Sequence, residues 1–219
     1  MLKIGIVDDH KLFRKGLSKL MESFYNVEVA LEAESGAQLL QMLEQVSPNL
    51  LLIDLQMPGL DGFETCKTVR QLYPDIKILV ISQLITKEAI HKIMQIGVHG
   101  FFSKNSNPEQ LQDAIYSIRD KDFYFGQELG TIIREAILWE KKVKNNASPA
   151  VLLLTKRETE IVQMACKEYS SSEIAEKLYI NVRTVETHRK RIMEKTDSKN
   201  FIGVVLYALK NDLVRIEDL

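Results

Sequence analysis

Short apolar runs alternate with segments of helical periodicity through the first 120 residues of the chain. The apolar runs are Lys3–Val7, Val27–Ala33, Leu50–Ile53, Ile76–Ile81 and Val98–Phe102. Most lack the polar alternation of a half-exposed strand, which is typical of strands covered on both faces. Apolar residues recur at helical spacing in the segments Leu12–Met21, Ala37–Val46, Phe63–Tyr73, Lys87–Ile96 and Pro108–Ile118. Five successive strand–helix units predict an α/β doubly wound, five-stranded parallel sheet with right-handed crossovers.

From Leu154 onward the pattern predicts helices only. Thr155 and Glu158 have the spacing of a capping box at the start of a helix, and Asn181 is a candidate cap for a later helix. The four predicted helices run from Lys156 to about Lys167, from Ser171 or Ser172 to Leu178, from Asn181 to Lys195, and from Phe201 to Lys210. The second and third are joined by a three-residue turn, which predicts a helix-turn-helix.

Residues 121–150 differ in character from both neighbouring regions. Asp120–Gly126 is typical of a turn with aromatic anchors, and Gln127–Lys144 has helical spacing that ends at an Asn-Asn-Ala-Ser-Pro stretch. We therefore expect a first domain at 1–120, a linker helix and flexible joint at 121–150, and an all-α four-helix domain at 151–219.

Composition restricts the class of protein. Of the 219 residues 45% are hydrophobic and 27% charged, as in a soluble protein with a sizeable core. The two cysteines, Cys66 and Cys166, exclude a disulfide framework and a cysteine-based zinc cluster. No apolar run approaches the ~20 residues of a membrane helix, so we expect a cytoplasmic protein without membrane association. The formal net charge is −1, but residues 182–195 carry five basic against two acidic side chains, which favours nucleic acid as a partner.

Polar residues stand where four of the predicted strands end. They are Asp8, Asp9, Asp54, Ser82 and Lys104. The carboxyl ends of parallel strands meet at one edge of the sheet, where such folds bind ligands. Three clustered carboxylates repel one another without a cation, and hard oxygen ligands suit Mg²⁺. The pattern therefore predicts a carboxylate that accepts a phosphoryl group with metal assistance, beside a lysine suited to an oxyanion.

Simpler interpretations exist for each residue taken singly. One aspartate at a strand end is more often a helix cap or a turn residue than a ligand, but five suitable residues at four strand ends favour a site. His10 follows the acidic pair, and neither it nor His91 or His99 has a second histidine at ligand spacing. We interpret all three as loop or helix residues.

The segments KIGIVDD (Lys3–Asp9) and DLQMPGLDG (Asp54–Gly62), with Ser82 and Lys104, resemble the receiver domain of bacterial two-component response regulators. The resemblance covers roughly the first 120 residues and implies a flavodoxin-like fold with Asp54 as phosphoacceptor. It implies that Asp9, Asp54 and the Gln56 main-chain carbonyl bind Mg²⁺, with Asp8 assisting. Switch roles follow from the same resemblance: Lys104 pairs with the phosphoryl oxygens, the Ser82 hydroxyl moves toward the phosphate, and the Phe101 rotamer follows.

A second resemblance covers nearly all of residues 152–214. Leu154–Glu160 (LTKRETE), Glu173–Leu178 (EIAEKL), Thr184-Val185, His188 and Lys195 resemble the LuxR-type helix-turn-helix domain. Together the two halves resemble the NarL/FixJ class of response regulators. The likeness implies base or near-base contacts at Arg183, Glu186, Thr187 and Lys190, and phosphate contacts at Thr184, His188, Arg189 and Arg191.

Details of this interface stay open at the level of sequence. Helical spacing places His188 on the inner face with Val185 and Ile192, so burial with a hydrogen bond to backbone is an equal interpretation of His188. Glu186, unusual against a polyanion, is suited to accept from a cytosine amino group. The last helix offers Val204, Val205 and Ala208 as a self-association face.

The combined resemblance implies a transcription regulator and not an enzyme. A sensor histidine kinase phosphorylates Asp54, and the modified chain, as a homodimer, binds double-stranded DNA. One alternative is a haloacid-dehalogenase-like phosphatase, which normally needs a second carboxylate where this chain has Gln56. Another is a regulator that works without phosphorylation, which the intact acidic pair and Lys104 disfavour.

Overall fold

The computed structural model of the chain describes residues 1–59, 61–83, 86–125, 154–211 and 213–214. The chain forms two compact units, Met1–Ile118 and Arg119–Leu219. The predicted linker helix at 127–144 and the joint after it lie outside the described residues.

Strands and helices alternate through the first unit. The elements are β1 (Leu2–Val7), α1 (Lys11–Met21), β2 (Val27–Ala33), α2 (Gly36–Leu43), β3 (Leu50–Asp54), α3 (Gly62–Leu72), β4 (Lys77–Ser82), α4 (Lys87–Ile96), β5 (Gly100–Ser103) and α5 (Pro108–Lys121), whose last turn belongs to the second unit. Every residue of β3 is buried, as its unbroken apolar sequence predicts for a strand with helices on both faces.

Strands β1 to β5 are parallel and lie in the order β2-β1-β3-β4-β5, which confirms the predicted doubly wound sheet. From β1 the chain passes to β2 on one side of β1 and then to β3 on its other side. The strand order therefore reverses between β1 and β3. Val7 lies opposite Ile53 in the register, and the residues that follow them are Asp8 and Asp54. The register thus places both aspartates at the carboxyl edge beside the reversal, where open α/β sheets bind their ligands.

The second unit is helical over residues 154–211 apart from its connecting turns. After a two-residue strand, β6 (Tyr124–Phe125), the helices are α6 (Lys156–Cys166), α7 (Ser171–Lys177), α8 (Val182–Lys195) and α9 (Phe201–Lys210). The four predicted helices are confirmed, and so is the capping box of Thr155 and Glu158. Helices α6, α7 and α9 pack against α8. No helix among the described residues combines the length and the apolar character needed to cross a bilayer.

Candidate functional site

The predicted acidic cluster forms at the carboxyl ends of β1 and β3. Asp8, Asp9, His10 and Asp54 each offer one ligand atom, and these atoms lie within 4.8 Å of one another. Asp8 and Asp54 are each 2% exposed, whereas the His10 side chain is 68% exposed. Two carboxylates are therefore held close together out of water, where their mutual repulsion is strong.

Lys104 provides the compensating charge. Its Nζ lies 2.7 Å from Asp8 Oδ2 and 2.6 Å from Asp54 Oδ2, and it also sits 4.5 Å from the centre of the Phe13 ring. Burial alone would lower the pKa of Lys104, but its hydrogen bonds to Asp54 and Asp8 and their charges raise that pKa above its usual value. The ammonium is thus fixed in its charged form between the two carboxylates.

Backbone groups orient the same carboxylates. The main-chain nitrogen of His10 donates to Asp8 Oδ1 at 2.8 Å, and that of Gln56 donates to Asp54 Oδ1 at 3.0 Å. Arg14, on the buried stripe of α1, donates to the main-chain carbonyl of Asp8. Sequence reasoning missed Arg14, although its spacing to Leu17 and Met21 places it on that stripe.

The donor set fits a hard divalent cation. Asp9 Oδ1 is buried and accepts no hydrogen bond from the described residues, although His10 Nδ1 lies 3.0 Å from it. A buried carboxylate oxygen without a hydrogen bond carries a desolvation cost that a bound cation removes. Three carboxylates in this position suit Mg²⁺.

The two predicted switch residues lie on the neighbouring strands. Ser82 ends β4 and is 1% exposed, and its carbonyl accepts from the main-chain nitrogen of Lys104 at 2.9 Å. Phe101, on β5, is 4% exposed. This backbone hydrogen bond ties the hydroxyl-bearing residue to the lysine of the pocket.

Gly62 lets α3 begin directly against the end of β3. A Cβ at this position would lie 2.2 Å from the carbonyl oxygen of Asp54 and 2.4 Å from Leu55 Cα. Any side chain would therefore force the helix start away from the acidic pocket. Asp61 caps α3 by accepting from the Glu64 main-chain nitrogen at 2.8 Å.

The predicted helix-turn-helix is formed by α7 and α8. Ser170 and Glu173 form a capping box at the start of α7, and Asn181 caps α8 by accepting from the Arg183 main-chain nitrogen at 2.8 Å. The turn between the helices contains Tyr179, whose φ of +53° places it in the left-handed region. The main-chain nitrogen of Ile180 donates to the Ala175 carbonyl at 3.0 Å and closes the turn.

An ion pair and a side-chain hydrogen bond that sequence reasoning missed hold this motif against α6. Lys195 Nζ, at the end of α8, lies 2.7 Å from Glu158 Oε2 at the start of α6. Burial opposes ionisation of Glu158, but the hydrogen bonds from Lys195 and Thr155 hold the pKa of this carboxyl below its usual value. Arg157 donates to the Leu178 carbonyl at 2.8 Å and pairs with Glu160 at 3.0 Å.

The predicted DNA-contacting residues of α8 differ in their exposure. Val185 and Ile192 are fully buried, and six of the predicted contact residues are exposed: Arg183, Thr184, Glu186, Thr187, Lys190 and Arg191. His188 is partly buried, and its Nδ1 has no hydrogen-bond partner among the described residues. The exposed residues therefore comprise three cations (Arg183, Lys190 and Arg191), two threonine hydroxyls and the carboxylate of Glu186.

Arg189 is a correction to the predicted interface. It lies four residues after Val185 and three before Ile192, so it falls on their buried stripe and is only 2% exposed. Its Nη2 donates to the Lys121 carbonyl at 2.7 Å and lies 3.3 Å from Asp122 Oδ2. The prediction that Arg189 contacts a phosphate is wrong for this conformation.

The predicted self-association face is also corrected. Val204, Val205 and Ala208 are at most 1% exposed, and their helix, α9, packs against α6 and α8. Apolar residues at this spacing form the stripe that α9 buries in the core. They are core residues in this structure and offer no open surface to a second copy.

Comparisons with known proteins agree with both units. Residues 4–116 match the family model "Response regulator receiver domain", and residues 152–208 match "Bacterial regulatory proteins, luxR family". The oxygen regulatory protein NreC of Staphylococcus carnosus (strain TM300) is 33% identical over 97% of this chain and 99% of its own length.

Solved structures give the same architecture. A LuxR-family two-component response regulator from Aurantimonas sp. SI85-9A1 is 26% identical, with a TM-score of 0.59 over 62% of this chain and 97% of that one. The response regulator RcsB in its complex with DNA is 21% identical, with a TM-score of 0.58 over 95% of this chain and 98% of RcsB. The likeness to RcsB supports the fold alone.

Proposed function

The chain belongs to the response regulators that join a receiver domain to a LuxR-type DNA-binding domain, and we propose that phosphorylation of Asp54 controls its binding to DNA. The observation that carries this proposal is the buried pocket in which Lys104 Nζ lies within 2.7 Å of both Asp8 and Asp54. A carboxylate oriented beside a fixed ammonium is prepared to receive a phosphoryl group.

The phosphoryl group comes from the phosphohistidine of a sensor kinase. A bond forms between phosphorus and an Asp54 carboxylate oxygen while the P–N bond breaks, and the departing imidazole keeps the electron pair. Asp8, Asp9, Asp54 and the Gln56 main-chain carbonyl are the groups that would hold Mg²⁺. When bound, this ion neutralises charge on the phosphoryl oxygens. The Gln56 nitrogen, which already donates to Asp54 Oδ1, keeps the acceptor carboxylate in position.

The modification changes the partners of Lys104 and Ser82. A phosphoryl group adds about −1.5 to −2 charges, which attract the ammonium of Lys104 away from Asp8 and draw the Ser82 hydroxyl toward the new oxygens. The Phe101 side chain then changes rotamer and moves into the space that the Ser82 hydroxyl leaves. These differential contacts shift the receiver between two conformations.

Helix α8 is the DNA-reading element of this proposal. Its first turns present Arg183, Glu186, Thr187 and Lys190 to base edges, while Thr184, His188 and Arg191 are directed to phosphates. Glu186 accepts from a cytosine amino group. Two copies of the chain bind paired half-sites, and because Val204, Val205 and Ala208 are buried, another surface mediates the pairing.

We place this regulator in the cytoplasm, where it meets both the kinase and DNA. Self-hydrolysis of the phospho-aspartate is slow, and multiple-turnover phosphatase activity is not expected, since Gln56 supplies no acid or base.

Labelling with a small phosphoryl donor tests the site. Acetyl phosphate and Mg²⁺ should add one phosphoryl group to the full chain, detected by intact mass, and Asp54→Asn should abolish the addition. Asp113→Asn, which removes an exposed carboxylate from α5, is the matched control and should be labelled like the unaltered chain. Equal labelling of the Asp54→Asn variant would exclude Asp54 as the acceptor.

A further inference from the structure

Helix α5 ends inside the second unit. Residues from Arg119 onward cluster with α6 to α9, and Asp122 stops the helix with a φ of +71°. This left-handed backbone is one that aspartate and asparagine tolerate better than other side-chain-bearing residues. It brings the main chain of Lys121 and the side chain of Asp122 against the buried face of α8.

The guanidinium of Arg189 is held by this turn. Arg189 Nη2 lies 2.7 Å from the Lys121 carbonyl oxygen and 3.3 Å from Asp122 Oδ2. Its Nη1 donates to Ser171 Oγ, at the start of α7, at 3.4 Å. The guanidinium also lies 3.9 Å from the centre of the Phe201 ring, at the start of α9. One side chain of α8 therefore connects α7, α9 and the end of α5.

Two neighbouring contacts fasten the same turn. The Phe123 ring stacks on Phe201 with 6.4 Å between centroids, and both residues are at most 2% exposed. Lys121 Nζ lies 3.0 Å from Glu168 Oε2 in the turn before α7. Phe123 is thus part of the core of the second unit, and Lys121 and Asp122 lie partly exposed beside it, although more than thirty residues of chain separate them from Thr155.

A buried guanidinium requires its partners. Removing one partner of a buried, hydrogen-bonded ion pair leaves an uncompensated charge, which is strongly unfavourable. The position of α8 in the second unit therefore depends on the turn at Lys121 and Asp122 staying in place beneath Arg189.

We propose that Arg189 is a positioning residue through which the end of α5 sets the placement of α8 on DNA. This inference rests on the proposed function, because it says which contacts connect the last helix of the receiver to the DNA-reading helix. Arg189 acts from beneath α8 and touches no phosphate.

The test measures duplex binding by the full chain over a range of salt concentrations, with and without acetyl phosphate. The probe is a duplex selected for binding to the unaltered protein. The first variant is Asp122→Asn, which keeps a residue suited to the left-handed turn. The second is Arg189→Met, which keeps a long side chain at the buried position without its charge. The third combines both substitutions. Asp120→Asn is the matched control, because it removes an exposed carboxylate two residues away that pairs with Arg119.

Each single variant should lower affinity about tenfold, and the double variant should be no weaker than the weaker single one, because the two residues act as a pair. The slope of log affinity against log salt should match the unaltered chain, and the gain on adding acetyl phosphate should shrink. Asp120→Asn should behave like the unaltered chain. Arg189→Lys, which keeps the charge, should recover part of the lost duplex affinity. This variant replaces Arg189→Met in the test if the methionine variant does not fold.

Other results would overturn the inference. If Arg189 met a phosphate, Arg189→Met would reduce the salt slope by about one, and Asp122→Asn would bind as tightly as the unaltered chain or more tightly. If Asp122→Asn bound the duplex more weakly but gained as much affinity from acetyl phosphate as the unaltered chain, the pair would only support the fold, and the inference would be wrong. If the unaltered chain bound no duplex at all, the proposed function itself would fall.

Discussion

Lys104 is the residue on which the acidic pocket depends most. Its Nζ forms short contacts with both Asp8 and Asp54, and its side chain is only 5% exposed. Without this ammonium, two buried carboxylates would face each other with no positive charge between them. One of them would then take up a proton or the pocket would open.

We therefore predict that Lys104→Met destabilises the first unit by about 3 kcal/mol at pH 7. The pKa of Lys104 is raised, so its contribution is complete below its usual value of 10.5 and is lost as pH rises through the raised value. The difference from the unaltered chain should accordingly shrink above that pH. Urea unfolding at neutral and alkaline pH measures both effects.

Lys67→Met is the control for this prediction. Lys67 is exposed on α3 and lies 3.7 Å from Glu64, and such surface pairs contribute at most about 1 kcal/mol. Equal stability of the Lys104→Met and unaltered chains at pH 7 would mean that the lysine does not hold the pocket together.

At the scale of elements, the placement of α3 decides the geometry around Asp54. The close approach at Gly62 leaves no room for a Cβ beside the Asp54 carbonyl. We predict that Gly62→Ala costs about 2 kcal/mol or more, in the range of overpacked sites, and slows labelling of Asp54 by acetyl phosphate. Unfolding and intact mass provide the two measurements.

Gly16 supplies the matched substitution. It lies in α1, and an added Cβ would meet nothing within 4 Å. Gly16→Ala should therefore stabilise the chain by up to about 1 kcal/mol, because alanine favours the helix. If both alanine variants had the same stability, close packing at Gly62 would not be the reason for the glycine.

The sequence predicted elements wherever local pattern and burial agree. The apolar run at Leu50–Ile53 became a central strand, and α8 ends at Lys195 as the spacing indicates. The acidic pocket was also predictable, because parallel strands bring Asp8, Asp54 and Lys104 to one edge whatever the loops do. Helix α2 is shorter than predicted, since it ends at Leu43 before the apolar spacing ends at Val46.

Arg189 shows why the remainder was not predictable. Helical spacing gave it a position near Val185 and Ile192, but a long cation at such a position normally extends to solvent. Its burial depends on the Lys121 carbonyl and Asp122, nearly seventy residues earlier, and no local pattern reports so distant a partner. The same reasoning applies to Val204 and Val205, whose apolar character alone does not separate a core stripe from an interface.

At the scale of the whole molecule, two chemistries must be linked. The first unit holds Asp54 beside Lys104 in a buried acidic pocket, and the second carries the exposed cations Arg183, Lys190 and Arg191 on α8. A regulator of this kind works only if phosphorylation of the first unit changes the free energy with which the second unit binds DNA. This change is a coupling between two sites.

Duplex affinity with and without acetyl phosphate, compared between the unaltered chain and Asp54→Asn, measures this coupling most directly. Fluorescence anisotropy with a selected duplex at fixed salt gives both affinities. We predict that the donor tightens binding of the unaltered chain by about fivefold or more and leaves the Asp54→Asn variant unchanged. An equal response from both proteins, or none from the unaltered chain, would contradict the account.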